Sequence, residues 1–460
     1  MLIRNRLFGT NGVRGIFGRE FEFDLITNLS YSLATFFKKG KILIGQDARL
    51  SSPIIARLVS SAVNSAGLDV WDAGIIPTPC LQFATKKYRY SGGIMITASH
   101  NPPQYNGIKP IASDGVELSR EDELKVEKIY LEKKFSRTDG LGILYKEDNI
   151  LNPYLDAVLS LVNSDKIRER KFKVIMDLGN GVQALVAPLL LRRLGCQVVT
   201  INGDLDGAFP ARGSEPTVSN LNPLCEIVRD LGADFGVAYD GDGDRSIFCD
   251  EKGIVHPGDK TGALLVRFLL RSGHSGTKIV CPINTTMLVS LVANEEKSKV
   301  LFTKVGSVEV SREMVARKSL IGLEENGGFM YGKMNEVRDG AMTTALVLDM
   351  LASSKTNESL SHMLGKLPKT FQCKSKFECD TIHIANEAVE ACLNYKNPLK
   401  IETIDGAKMW LDNDSWILVR PSGTEPILRM YAESIDKSRL YSMVGEYTSV
   451  IENILRQTSR

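Results

Sequence analysis

The sequence predicts an α/β protein of several domains, in which mixed but mainly parallel sheets are covered by helices. The chain has 460 residues, which corresponds to about three domains at roughly 150 residues each. Short apolar runs typical of β-strands alternate with helical patterns over most of the chain, as in parallel sheets covered on both faces. Hydrophobic residues make up 43% and charged residues 24%. This globular composition excludes a disordered or fibrous chain.

The individual elements can be predicted in chain order. KILIG (41–45) predicts a buried strand, the segment 53–66 an amphipathic helix, and GIMIT (93–97) a strand that ends in a loop. Further along, KVIMD (173–177) precedes a glycine turn and a helix. FGVAYD (235–240) predicts a strand that runs into a carboxylate-rich loop.

KIVCP, which opens at Lys278, begins another strand–helix unit. Lys41, Lys173 and Lys278 each open an apolar run followed by a loop and a helix, so three related α/β domains are expected. The last part differs, because the strands AKMWL and WILVR lie between two helical segments and predict a smaller α+β domain. With linkers at the polar stretches between these parts, we expect domains at 1–150, 151–252, 253–368 and 369–460.

Composition also excludes several functional classes. No run of about 18 apolar residues occurs, so no membrane span is expected. The net charge of +2 gives no reason to expect nucleic-acid binding. Eight cysteines without a C-x-x-C pair predict reduced core thiols, and the N-terminus lacks the apolar core of a signal peptide. We therefore expect a cytoplasmic location.

Two loops after predicted strands carry reactive groups. TASHNP predicts Ser99 on an extended, accessible loop with His100 beside it, at the strand ends where α/β proteins bind ligands. DGDGDR places Asp240, Asp242 and Asp244 so that three carboxylates can converge on one hard cation. The alternatives are a helix cap or turn for the first loop and a solvated acidic turn for the second.

Two further loops contain groups suited to sugars and phosphates. GLEENGG offers Glu324 and Asn326 to sugar hydroxyls, although a polar turn is an alternative. RPSGTEP offers the guanidinium of Arg420, two hydroxyls and backbone N–H groups, which together can bind phosphate. Arg14 in FGTNGVRG and Lys109 in NGIKP add two cations.

Taken together, these motifs resemble the α-D-phosphohexomutase superfamily, which includes phosphomannomutases, phosphoglucomutases and phosphoglucosamine mutases. The loops occur in the family's order and extend from Phe8 to Arg429. The resemblance implies four domains around a central cleft, each contributing one loop. It also implies interconversion of hexose 1-phosphates and hexose 6-phosphates through an enzyme phosphoserine and a sugar 1,6-bisphosphate.

The resemblance implies a role for each loop. Ser99 corresponds to the phosphoserine, the resting phosphoryl donor, and His100 follows it as in the family. Asp240, Asp242 and Asp244 correspond to the positions that hold one Mg²⁺ per active site together with an oxygen of Ser99.

The resemblance also assigns the cations and the substrate contacts. Arg245 matches the arginine that faces the phosphoryl group, and Arg14 and Lys109 match active-site cations. Lys109 is our candidate general acid/base, for which it needs a lowered pKa; neighbouring Arg14 and Mg²⁺ would favour that lowering. The implied substrate-binding residues are Glu324, Asn326, Arg420, Ser422, Gly423, Thr424 and Arg429.

Two departures affect substrate preference. Many relatives carry serine where Asn326 stands and histidine where Gly328 stands, so one possible proton carrier is missing here. FGTNGVRG resembles the opening of glucosamine-type mutases, whereas GLEENGG resembles broad-specificity mutases of archaeal type. We expect hexose phosphates as partners and a monomer or homodimer. The activities left open are a haloacid-dehalogenase-like sugar phosphatase with Asp240 as nucleophile and a non-catalytic calcium or sugar-phosphate binding protein.

Overall fold

The computed structural model describes residues 6–136, 140–422 and 427–458. The described residues form four sheets with helices packed against them, which we call units I to IV in chain order. Units I to III have mixed sheets, and unit IV has an antiparallel one. The predicted fold class, three α/β parts and a smaller α+β part around a cleft, is therefore confirmed.

Unit I is a six-stranded sheet in the order β1-β5-β4-β2-β3-β6. Its four strands β4, β2, β3 and β6 run parallel, and β5 and β1 add an antiparallel edge. The strands are β1 (Val13–Ile16), β2 (Lys41–Gln46), β3 (Asp69–Ile75), β4 (Gly92–Ile96), β5 (Tyr105–Ala112) and β6 (Leu144–Lys146). The helices are α1 (Phe23–Phe37), α2 (Ser52–Ser65), α3 (Thr78–Lys87) and α4 (Arg120–Glu132).

Unit II is a five-stranded sheet in which β8, β7 and β9 are parallel and β10 and β11 are antiparallel. Every residue of β9 is buried, as its continuous apolar run predicts. The strands are β7 (Lys173–Asp177), β8 (Gln197–Ile201), β9 (Phe235–Tyr239), β10 (Ser246–Asp250) and β11 (Val255–His256). The helices are α5 (Leu151–Ser160), α6 (Ser164–Arg170), α7 (Ala187–Arg193) and α8 (Asn222–Asp230), with 3₁₀ turns at Val182–Leu185 and Val218–Asn220.

Unit III repeats this arrangement, with β13, β12 and β14 parallel and β15 and β16 antiparallel. The strands are β12 (Lys278–Pro282), β13 (Lys299–Thr303), β14 (Ile321–Leu323), β15 (Phe329–Tyr331) and β16 (Asn335–Arg338). The helices are α9 (Gly258–Leu269), α10 (Met287–Glu295), α11 (Ser307–Arg317), α12 (Gly340–Ala352) and α13 (Leu360–Gly365), with a π-helical turn at Leu270–His274.

Unit IV is an antiparallel sheet in the order β17-β21-β20-β19-β18. Its strands are β17 (Phe371–Glu378), β18 (Lys400–Glu402), β19 (Ala407–Asp412), β20 (Ser415–Pro421) and β21 (Ile427–Ser434). Its two long helices, α14 (Ile382–Tyr395) and α15 (Lys437–Thr458), pack on the sheet.

The units are joined by buried contacts that position the cleft. One apolar core runs through units I to III and includes Tyr154 of α5, whose hydroxyl donates to Asp339 at 2.6 Å. Unit IV is attached to unit III because Glu433 of β21 accepts hydrogen bonds from the hydroxyl of Thr286 at 2.6 Å and the N–H of Met287 at 2.7 Å. The loops predicted to carry chemistry therefore face a common space between the units.

Two further properties concern the helices and the cysteines. Within the described ranges, no helix combines the length and the apolar character needed to cross a bilayer. The eight cysteines all lie in described parts of the chain and are free thiols.

Candidate active site

The site is a cavity of about 700 Å³ at the meeting point of the four units. Each unit contributes to its wall: Arg14 from unit I, Arg245 from unit II, Glu324 from unit III and Arg420 from unit IV. The structure therefore brings together loops that are far apart in the sequence.

Ser99 lies directly after β4, in a strained backbone position. Its φ is 50°, in the left-handed region that residues other than glycine seldom adopt. Its N–H donates to the hydroxyl of Thr97 at 2.8 Å, and its own hydroxyl donates to Asp240 Oδ2 at 2.9 Å. Ser99 is fully buried, so the extended, accessible position expected from the sequence is wrong, because the Ser99 hydroxyl is directed to the buried Asp240. His100 beside it lines the cavity, with Nδ1 3.4 Å from Ser99 Oγ.

Arg49, which the sequence reasoning missed, holds this loop in place. Its guanidinium donates to the carbonyl oxygens of Ser99 and Asn101 at 2.7 Å, of Pro102 at 2.6 Å and of Tyr105 at 3.0 Å. Its Nε pairs with Asp47 at 3.0 Å. Since the Arg49 side chain is buried and makes several contacts to this loop at once, it fixes the backbone of the loop. The partners are backbone carbonyls about fifty residues away, so no local sequence signal identified Arg49.

The three aspartates of the DGDGDR loop converge beneath Ser99. One oxygen from each of Asp240, Asp242 and Asp244 lies within 4.8 Å of the others, and all three residues are buried. Gly241 allows this approach, because a Cβ there would lie 2.8 Å from the carbonyl oxygen of Ser99. The metal loop and the serine loop are therefore in direct contact.

The donor set fits a hard divalent cation. Oδ1 of Asp242 and Oδ1 of Asp244 are buried and accept no hydrogen bond from any described residue. Buried carboxylate oxygens without partners are costly unless a cation satisfies them. Oxygen-only ligands are those that Mg²⁺ and Ca²⁺ prefer. The residues present therefore suit the magnesium ion that the sequence predicts.

Asp240 and Asp242 have pKa values shifted in opposite directions. Burial and the charges of Asp244 and Asp242 raise the pKa of Asp240 well above its usual value. Burial would also raise the pKa of Asp242, but Lys109 and a 2.7 Å hydrogen bond from the Thr78 hydroxyl bring it well below the usual value. The free chain therefore keeps Asp242 charged and favours a proton on Asp240.

Lys109 lies on β5 among these carboxylates, where one expectation proves wrong. Its Nζ is 2.9 Å from Asp242 Oδ2 and 3.4 Å from Asp244 Oδ2. Burial lowers its pKa, but the two aspartates raise it, and the net shift is upward. The expected lowering of the Lys109 pKa does not occur in the free chain, because the two adjacent carboxylates outweigh burial and the charge of Arg338.

The other predicted cations surround the serine loop. Arg14 donates from Nη1 to the Ala98 carbonyl at 3.0 Å and to Asn101 Oδ1 at 2.9 Å, and burial lowers its pKa to about 10. Arg245 lies 3.8 Å from Asp240 Oδ2 and pairs with Glu215 at 3.3 Å. Arg245 and burial lower the pKa of His100 strongly, which keeps that imidazole neutral.

The sugar-reading loop forms another part of the cavity wall. Glu324 and Asn326 both line the cavity. The carboxylate of Glu324 accepts a hydrogen bond from Arg338 Nη1 at 3.1 Å, and Asn326 Oδ1 accepts one from the Gly328 N–H at 3.1 Å. Arg338 was not predicted from the sequence, because its position at the end of β16 has no motif around it.

The fourth loop contributes further cations. Arg420, Ser422 and Arg429 line the cavity, and Arg420 pairs with Asp405 at 3.0 Å. The predicted Gly423 and Thr424 lie outside the described residues.

The chain matches family models along nearly its whole length. Models described as phosphoglucomutase/phosphomannomutase α/β/α domains I, II and III match residues 5–137, 152–253 and 257–371. The model of the C-terminal domain of the same family matches residues 382–446.

Curated relatives and a solved structure agree with these matches. A phosphoglucosamine/phosphogalactosamine mutase of Sulfurisphaera tokodaii is 40% identical over 97% of this chain and 99% of its own. A phosphoglucomutase/phosphomannomutase of Thermococcus kodakarensis is 42% identical over 96% of this chain and 97% of its own. A phosphoglucomutase/phosphomannomutase family protein from Burkholderia thailandensis has the same fold, with a TM-score of 0.87, 23% identity and 98% of both chains covered.

Proposed function

This chain belongs to the α-D-phosphohexomutase superfamily and is a phosphohexomutase, and we propose that it works through a phosphoserine at Ser99. The proposal depends on one observation above all, which is the 2.9 Å hydrogen bond between Ser99 Oγ and Asp240 Oδ2. It brings the candidate phosphoryl carrier against the carboxylate cluster, beside a cavity lined by arginines.

Residues of all four units take part in the proposed reaction. With Ser99 phosphorylated, a hexose 1- or 6-phosphate binds with its phosphate at Arg420 and Ser422 and its hydroxyls at Glu324 and Asn326. The free hydroxyl at the other end of the sugar attacks the phosphorus. The bond between phosphorus and Ser99 Oγ breaks, and a sugar 1,6-bisphosphate forms. After the bisphosphate turns end for end, its other phosphate returns to Ser99.

Buried groups would stabilise the negative charge of the phosphoryl group during the transfer. Asp240, Asp242 and Asp244 would hold Mg²⁺, which supplies positive charge to the phosphoryl oxygens when bound. Arg245 and Arg14 add fixed cations at the same place. In the first transfer one proton passes from the attacking sugar hydroxyl to the oxygen of Ser99, and in the second transfer a proton passes from the Ser99 hydroxyl to the sugar oxygen that leaves.

Lys109 is the proposed general acid/base for this proton transfer. Its position beside Asp242 and Asp244 keeps it protonated in the free enzyme. It therefore starts the cycle as an acid. His100 completes the set of proposed catalytic residues, and Arg429 that of substrate-binding residues.

The substrates we propose are the 1- and 6-phosphates of glucose, mannose and glucosamine. The two relatives described above carry names for glucosamine, galactosamine, glucose and mannose phosphates, and one cavity wall must accept the sugar in both orientations. A competition assay with the three 1-phosphates tests this breadth. A hundredfold preference in kcat/KM for one sugar would contradict it.

Other properties follow as proposals. Eight free thiols suit a reducing compartment, so we place the enzyme in the cytoplasm. We propose one active site per chain, domain limits near residues 150, 252 and 368, and a monomer or homodimer.

The direct test compares wild type with Ser99→Ala and, as control, the exposed Ser113→Ala. We expect at least about a thousandfold loss of mutase activity in Ser99→Ala and none in the control. Phosphate on the wild-type enzyme should resist hydroxylamine, as a phosphoserine does. Full mutase activity in Ser99→Ala would contradict the phosphoserine proposal, and a phosphate that hydroxylamine cleaves would favour the Asp240 phosphatase instead.

A further inference from the structure

Arg338 is a buried cation that the reaction scheme above leaves unused. It is the last residue of β16 and pairs with Met330 on β15. The next residue, Asp339, accepts a hydrogen bond from the Met342 N–H at 3.0 Å and so caps α12. The backbone of Arg338 is therefore fixed on both sides. Its side chain is 5% exposed and lines the cavity.

The guanidinium of Arg338 connects two loops of different units. Nη2 donates to Asp244 Oδ2 at 2.5 Å, and Nη1 donates to Glu324 Oε2 at 3.1 Å. Its Nε is buried and has no hydrogen-bond partner among the described residues. One side chain thus joins the metal loop to the sugar-reading loop and retains an unused donor.

Gly328 provides the space for this arrangement. A Cβ at position 328 would lie 2.3 Å from Cδ and 2.9 Å from Cγ of Arg338. The backbone of Gly328 is outside the left-handed region. Glycine is therefore needed there because a side chain would collide with Arg338, and not because of the backbone conformation. The glycine in the sugar-reading loop and the arginine at the end of β16 therefore depend on each other.

The guanidinium also compensates the charge of Glu324. Burial raises the pKa of Glu324, and Arg338 opposes that shift more than any other neighbour does. A charged carboxylate held at one oxygen accepts hydrogen bonds from hydroxyls and has few orientations available. Without Arg338, the same carboxylate would lose the cation that is hydrogen-bonded to it.

We propose that Arg338 is a substrate-positioning residue that acts through Glu324, holding its carboxylate towards the hydroxyls of a hexose phosphate. This inference rests on the proposed function, because it takes the cavity to be the sugar site. Removal of Arg338 should therefore weaken sugar binding more than it slows phosphoryl transfer. The alternative is an effect through Asp244, which would appear as a changed magnesium requirement.

The test uses Arg338→Met, which keeps much of the volume and removes every donor. Arg317→Met is the matched control, because Arg317 is exposed and its ion pair among the described residues is with Glu313 on its own helix. We expect KM for glucose 1-phosphate to rise about ten- to a hundredfold in Arg338→Met, with a smaller fall in kcat. The magnesium concentration for half activation should stay unchanged, as should all parameters of the control.

Two further variants keep the proposal testable if Arg338→Met fails to fold. Gly328→Ala leaves the charge in place and displaces the guanidinium, so KM should rise several-fold. Arg338→Lys cannot span both carboxylates and should raise KM to an intermediate value. Glu324→Gln combined with Arg338→Met should raise KM no further than the stronger single change.

Binding without turnover separates this inference from the proposed function. Calorimetric titration of glucose 6-phosphate without Mg²⁺ should show the same loss of affinity in Arg338→Met. If wild type binds the sugar phosphate but does not isomerise it, the proposed function fails and the inference stands. If KM and the dissociation constant are unchanged in Gly328→Ala and Arg338→Lys, or only the magnesium requirement rises, the inference is wrong.

Discussion

The reaction centre and the binding wall of the cavity differ in how their polar groups are satisfied. In the reaction centre, Ser99 donates to Asp240 and Lys109 donates to Asp242, and these four residues are at most 1% exposed. The polar atoms left there without a partner among the described residues include Oδ1 of Asp242 and of Asp244, which are acceptors suited to a cation. On the binding wall, Arg420 faces the cavity, and its Nε has no partner among the residues described. The fold therefore sets the geometry of the first region in advance, whereas the second retains donors for a ligand.

This difference has a kinetic consequence. Changes in the reaction centre disturb groups that depend on one another, so they should lower kcat. Changes in the wall remove single contacts to the substrate, so they should raise KM. The expected effects are given from largest to smallest.

Asp242→Asn should have the largest effect. The change removes a candidate metal ligand and the charge beside Lys109. We expect kcat to fall at least about a hundredfold and the magnesium requirement to rise. Steady-state assays across a magnesium titration measure both. The exposed Asp230→Asn is the control, and an unchanged magnesium requirement in Asp242→Asn would rule out the metal assignment.

Arg49→Lys should have the second largest effect. It tests whether the contacts of Arg49 hold the backbone of the serine loop in position. A lysine cannot replace the contacts to four carbonyl oxygens and Asp47. A small displacement of Ser99 should then cost about a hundredfold in kcat, with KM nearly unchanged. The exposed Arg57→Lys on α2 is the control. If KM rises and kcat does not fall, the loop is not held by Arg49 in the way described.

Arg420→Met should affect the binding wall instead. Loss of a charged donor to the substrate phosphate should raise KM about tenfold or more and leave kcat close to wild type. Arg439→Met, in the same unit but away from the cavity lining, should change neither value. A fall in kcat with KM intact would show that the two regions are not separate.

Asn326→Ala should have the smallest effect. A neutral hydrogen bond to one hydroxyl corresponds to about a two- to tenfold change in KM. The ratio of kcat/KM between glucose and mannose 1-phosphates should also shift, because these sugars differ in the orientation of the hydroxyl at carbon 2. Gln104→Ala, on the exposed part of the serine loop, provides the comparison. An equal change for both sugars would exclude Asn326 as a reader of that difference.

The sequence predicted the fold class and the loops because each has a local pattern. FGVAYD and DGDGDR are contiguous, and they form β9 and the metal loop. Arg49 and Arg338 could not be found in this way, because their partners lie on other strands or in other units. Their importance appears only once the sheets are assembled.

Lys109 shows a second limit of prediction from sequence. Its presence near the site follows from the pattern, but its pKa depends on distances to Asp242 and Asp244 that no spacing gives. Position 328 shows the same limit, because the sequence reveals that a glycine stands where many relatives have histidine but does not reveal which side chain lies beside it. The space at that position is taken up by the side chain of Arg338.

The positive φ of Ser99 restricts the chemistry available to evolution at this position. Threonine carries the same hydroxyl, but its branched Cβ is poorly tolerated in left-handed backbone. This backbone conformation therefore favours serine over threonine at position 99, although the hydroxyl of either residue could form a phosphate ester. The shape of the main chain, rather than reactivity, selects the residue that bears the transferred group.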